Sequence, residues 1–134
     1  MSQRRKAREV ALQSLFEVSY THHDPESVVQ WLAKEAGLSQ ETMLFVHSLV
    51  VAVVENNELI DATIQKFASA WPLEQIAMVD RNIMRLGVYE ILARNVSHKV
   101  AINEAVELAK TFGTESSPRF INGVLGSVYA DVSK

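Results

Sequence analysis

The sequence predicts an all-α fold, and three observations carry that prediction. Apolar residues recur at spacings of three and four along most of the chain. Glycine and proline are scarce, at five and three, and punctuate the periodic stretches. No alternating strand pattern of comparable length competes.

The elements follow in order. From Arg4 to about Tyr20, Ala7, Ala11, Leu15 and Val18 form one stripe, widened by Leu12 and Phe16. Thr21 to Pro25 reads as a loop in which Asp24 and Pro25 supply a cap and a first helical position. A second helix runs to about Ala36 and stops at Gly37. Ser39, with Glu41 and Thr42 nearby, opens a third, which places Met43, Val46, Val50 and Val53 on one stripe and Leu44, Leu49 and Val54 beside it. Asn56 and Asn57 interrupt. A short fourth helix spans Leu59 to about Phe67, and Trp71 and Pro72 restart the chain. Ile76, Val79, Ile83, Leu86 and Ile91 then predict a long fifth helix from Leu73 to about Arg94, with Gly87 admitting a close neighbour. Ala101, Ala105, Leu108 and Phe112 make the sixth, closed by Gly113 where a left-handed cap is favoured. Ser117 and Pro118 open the seventh, in which Phe120, Val124, Val128 and Val132 alternate with Ile121, Leu125 and Tyr129.

With 134 residues and no repeat, low-complexity tract or linker, residues 1–134 read as a single domain. A domain of this size buries roughly two thirds of its unfolded surface. The absence of cysteine removes disulfides and thiolate zinc sites and fits a reducing compartment. A secretory signal would need an apolar stretch after the basic start, but Gln13, Ser14 and Glu17 break it. The longest apolar run, Leu49 to Val54, is far short of the ~20 residues that span a bilayer. A soluble, cytoplasmic protein with no membrane partner is expected.

Charge is unevenly placed. The chain carries a net −3, yet its first ten residues hold Arg4, Arg5, Lys6 and Arg8 against one acid, leaving −6 on the remaining 124. Cations at a helix N-terminus oppose the helix dipole by a few tenths of a kcal/mol each, so helix stability does not explain them. A polyanion, most plausibly nucleic acid, would dock on such a patch. Phe16, Phe112 and Phe120 are candidate stacking rings for a single strand, although a Phe at helical spacing is more often core.

Catalysis is disfavoured. His22, His23 and Asp24 lack a third ligand at helical spacing, so neither a metal nor a cofactor is expected. Glu104 and Glu107 share a face, but without a nucleophile or pocket they read as a solvated surface with Lys110 as partner. His47 reads as an ordinary, partly buried histidine. No phosphate-cradling glycine loop is present.

Several stretches together resemble the bacterial transcription antitermination factor NusB family. They are Arg4 to Glu9 leading into Ala11, Leu12, Gln13 and Leu15; Asp80 to Leu86 with Tyr89 and Glu90; Val100 to Lys110; and Phe112, Gly113, then Ser117 to Leu125. The resemblance covers nearly the whole chain and is weakest between about Thr21 and Trp71. It implies a seven-helix domain in two subbundles and a non-enzymatic adaptor. Such an adaptor would bind the single-stranded boxA element of nascent ribosomal or phage RNA, together with ribosomal protein NusE, in an RNA polymerase antitermination complex.

Carried over by position, the resemblance implies RNA contacts at Arg4, Arg5, Lys6, Arg8, Gln13, Phe16, Phe112, Ser116 and Phe120. It implies NusE contacts at Asp80, with Met84 and Arg85 nearby. Ser116 stands where the family commonly has an acid, Phe16 where it has tyrosine, and Gly126 where aspartate often follows. Phe16 keeps a stacking face and lacks a hydroxyl. Two alternatives stay open: a stand-alone relative of the helical domain fused to ribosomal RNA methyltransferases, whose catalytic half is missing here, and a homo-oligomeric structural module. Some family members self-associate, so a homodimer is a further state to test.

Overall fold

The computed structural model describes residues 3–134, and the all-α expectation holds. Seven helices and one 3-10 turn make up the regular structure, with no strand among the described residues. Two compact units divide the chain, Met1–Glu55 and Asn56–Lys134.

The first unit contains α1 (Gln3–Thr21), α2 (Pro25–Glu35) and α3 (Gln40–Glu55), each packed on the other two. Its boundaries follow local chemistry. Asp24 Oδ2 accepts from the Ser27 amide at 3.1 Å, capping α2 with Pro25 in the first turn. At the other end Gly37 takes a φ of +70°. Its amide donates to the Lys34 carbonyl at 3.1 Å and the Leu38 amide to Ala33 at 3.0 Å, the paired closure of a Schellman motif. Ser39 Oγ accepts from the Thr42 amide at 3.1 Å to start α3. Ala7, Val10, Ala11, Leu12 and Leu15 are buried on α1, Val28, Val29 and Ala33 on α2, and Val46, Leu49, Val50 and Val53 on α3.

The second unit contains α4 (Asn57–Phe67), α5 (Met78–Ala93), α6 (His98–Phe112) and α7 (Ser117–Val132). Helix α5 packs on α4, α6 and α7, and α7 also packs on α4 and α6. A Cβ on Gly87 would lie 2.6 Å from Leu125 Cδ1, so the Leu125 side chain of α7 packs directly on the bare backbone of α5. Ile83, Met84, Leu86, Val88, Ile121, Leu125 and Val128 are buried here, at roughly 1.5–3 kcal/mol for each large side chain.

Three sequence expectations need correction. The fifth helix begins at Met78 rather than Leu73. Residues Leu73–Gln75 form a 3-10 turn, followed by extended Ile76. The Gln65 side chain causes this, accepting from the Leu73 amide at 2.6 Å and donating to the Trp71 carbonyl at 2.8 Å. Backbone groups satisfied by a side chain need no helix.

The left-handed cap falls on Arg94, with φ 57°, and not on Gly113, whose φ is −93°. Gly113 is instead required for space, because a Cβ there would lie 2.5 Å from Ser117 Oγ and 2.8 Å from the Ala109 carbonyl. Ser117 does not precede α7 as its cap. It is the first residue of that helix, and its buried hydroxyl accepts from the Thr114 amide at 2.9 Å.

Candidate nucleic-acid interface

The four cations at the start of α1 do not form one patch. At about 100° per residue, Arg5 and Lys6 fall within one arc with Gln13, Phe16 and Tyr20, while Arg4 and Arg8 lie outside it. The contacts agree with that division. The Arg4 guanidinium carbon stands 3.8 Å from the centroid of the Phe45 ring on α3, and that of Arg8 stands 5.9 Å from the same ring. Arg8 is only 3% exposed. These two cations therefore fasten α1 to α3 through the ring face, an attraction of about 0.5–1 kcal/mol at exposed sites and more when desolvated.

The other arc is open. Arg5 and Gln13 are exposed, and Lys6 and Phe16 are half-buried. Phe16 packs against Tyr20 with centroids 4.8 Å apart and planes at 42°. Tyr20, which is 62% exposed, was not among the predicted contacts. Its spacing of four from Phe16 was the available sequence signal. The arc presents, in order along the helix, two cations, the half-buried carboxylate of Glu9, an amide and two rings. A single strand needs the cations, amide and rings: charge for its phosphates, hydrogen bonds for base edges and flat faces for stacking.

In the second unit, the turn between α6 and α7 brings Phe112, Ser116 and Phe120 to one end of the helix pair. Phe112 is 37% exposed rather than core, Ser116 is exposed and Phe120 is half-buried. Thr114 Oγ1 lies 3.3 Å from Ser116 Oγ and 3.2 Å from Ser117 Oγ, which orders the turn. Ser116 offers a neutral hydroxyl here and no carboxylate.

The three residues matched to a protein contact occupy different environments. Asp80 is half-buried in the first turn of α5. Met84 is 0% exposed. Arg85 is paired with Asp61 of α4, Nε to Oδ1 at 2.7 Å and Nη2 to Oδ2 at 2.9 Å. Asp80 thus has surface to offer, whereas Met84 fills core and Arg85 clamps α4 to α5.

Elsewhere, Lys110 Nζ donates to Glu107 at 3.2 Å, as expected of a solvated face. Among the described residues no group of three or more His, Cys, Asp or Glu side chains is placed to hold a metal. No single described helix is long and apolar enough to cross a membrane.

A family model described as the NusB family matches residues 5–130, and so spans nearly all of both units. The chain belongs to the NusB family. It is 50% identical over 135 aligned residues to the transcription antitermination protein NusB of Dehalococcoides mccartyi, covering 98% of this chain and 94% of that one. Its fold is similar to that of T. maritima NusB, with a TM-score of 0.90 and 28% identity over 98% of this chain and 92% of that one. It is also similar to a structure of antitermination factors NusB and NusE in complex with dsRNA, with a TM-score of 0.88 and 26% identity over 98% of each chain. Membership in the NusB family places the protein among non-catalytic transcription antitermination factors.

Proposed function

We propose that residues 1–134 act as one RNA-binding adaptor in the cytoplasm. It recognises single-stranded boxA of nascent ribosomal RNA jointly with ribosomal protein NusE, within an RNA polymerase antitermination complex. The observation that carries this reading is the exposed arc of α1, where Arg5, Lys6, Gln13, Phe16 and Tyr20 line up cations, an amide and rings around the half-buried Glu9. The exposed ring and hydroxyl of Phe112 and Ser116 at the α6–α7 turn supply a second set of groups suited to RNA. The solved complex of NusB with NusE and dsRNA supports the choice of partner class.

Charge explains why a second protein is needed. With Arg8 buried, three cations at most are left for phosphates, and the log–log salt slope for a single strand is about −2. Alone, such an arm binds weakly and with little selectivity. A partner that holds the same strand raises the effective affinity by making the second contact intramolecular.

The test is a gel shift of boxA RNA with this protein, with NusE, and with both, alongside a scrambled strand and a double-stranded competitor. The expected result is a strong shift of the boxA strand only when both proteins are present. Equal shifts for the scrambled strand, or no gain from NusE, would remove the adaptor reading. Separately, Asp80→Arg is expected to weaken NusE binding about tenfold in calorimetry, because a reversed charge at an interface opposes the partner's complementary potential. Parent-like affinity would show that the protein contact lies elsewhere.

A further inference from the structure

We propose that the groove between the end of α1 and α2 docks a basic, amphipathic segment of a partner polypeptide. The groove has a volume of about 500 Å³ and is lined by Glu17, His23, Ser27, Val28, Trp31 and Leu32. Trp31 is 64% exposed at its edge, a large apolar ring left uncovered on a helix whose other face is buried. With Val28 and Leu32 the ring gives the groove an apolar lining that a leucine-like side chain could fill.

Charge selects the occupant. Residues 9–55 hold seven carboxylates against one cation, Lys34. The carboxylates also flank the groove itself. Glu17 lines it from α1, with its side chain 49% exposed and His23 Nδ1 at 3.9 Å. On α2, Glu35 lies one turn after Trp31 and Leu32, and at about 100° per residue it falls on the azimuth between the ring and the leucine. An apolar floor with Glu17 along one side and Glu35 at one end suits a helix or strand that carries leucine-like anchors between lysines or arginines. One such cation would lie over the Trp31 indole.

The same charges argue against RNA as the occupant. Glu17 lies just outside the arc of Gln13 and Tyr20, where α1 turns toward α2, so the groove side of α1 is acidic while its first turns are cationic. A phosphate strand is repelled where a basic peptide is attracted.

The experiment follows Trp31 emission in a Trp71→Phe background, which leaves one indole. The probe is an acetylated, amidated peptide of three Leu-Lys-Lys-Leu repeats. A saturable blue shift is expected. Glu17→Gln with Glu35→Gln should weaken binding about five- to tenfold, since the flanking ion pairs are lost. The matching peptide with glutamate in place of lysine, and a short single-stranded RNA, should leave the emission unchanged. Both carboxylates are exposed, so circular dichroism of the double variant should match the parent. The proposal fails if the lysine peptide gives no shift, if the double variant binds it as tightly, or if the glutamate peptide or the RNA shifts Trp31 equally.

Discussion

Asp61→Ala is expected to destabilise the protein by about 3 kcal/mol and to lower its melting temperature by about 10 °C, as read by calorimetry. Arg85 and Asp61 face each other with side chains only 11% and 20% exposed, and their bond is bidentate. The third donor, Arg85 Nη1, reaches Asn82 Oδ1 at 2.9 Å. Removing the carboxylate leaves a poorly hydrated guanidinium with one neutral acceptor, and the uncompensated charge costs more than the pair ever contributed. Replacing both partners, as Asp61→Ala with Arg85→Met, should recover most of the loss, because no charge is then stranded. A single variant melting within about 1 °C of the parent would show that the pair does not clamp α4 to α5. The comparison also reads the role of Arg85. If its main task is this clamp, Arg85→Ala should reduce NusE binding only as far as it unfolds the protein.

That pair illustrates where sequence reading succeeds and stops. Boundaries set by neighbours within a few residues were legible: Asp24 with Pro25, Gly37 after α2, and Ser39 before α3 are all local hydrogen-bond or dihedral effects. The apolar stripes likewise named most of the core, since helical periodicity alone decides which face is buried. Features set by distant side chains were not legible. The start of α5 depends on Gln65 reaching eight residues ahead to Leu73. The commitment of Arg85 depends on Asp61, and the burial of Arg8 accompanies the Phe45 ring 37 residues later in the chain. A cluster of cations in the sequence therefore became two sets in different surroundings, Arg4 and Arg8 against the Phe45 ring and Arg5 and Lys6 toward the surface.

Arg5→Ala with Lys6→Ala tests that division most directly, and the expected result is a loss of RNA affinity without a loss of fold. Each phosphate contact to a single strand contributes about 0.7 to the log–log salt slope, so removing two should flatten it by about 1.4. At 0.1 M salt that corresponds to about a 25-fold weaker complex with boxA RNA and NusE, and the deficit should shrink as salt rises. Stability should change little, because Arg5 is exposed and Lys6 is half-buried, so neither side chain fills core. Arg4→Ala gives the contrast. Its guanidinium lies 3.8 Å from the Phe45 centroid, so losing it should lower the melting temperature of the protein, with a smaller effect on the salt slope than the Arg5 and Lys6 pair. If instead Arg4→Ala flattened the slope as much as the double variant did, the phosphates would track the α3-facing side of α1. The arc carrying Gln13, Phe16 and Tyr20 would then not be the RNA face.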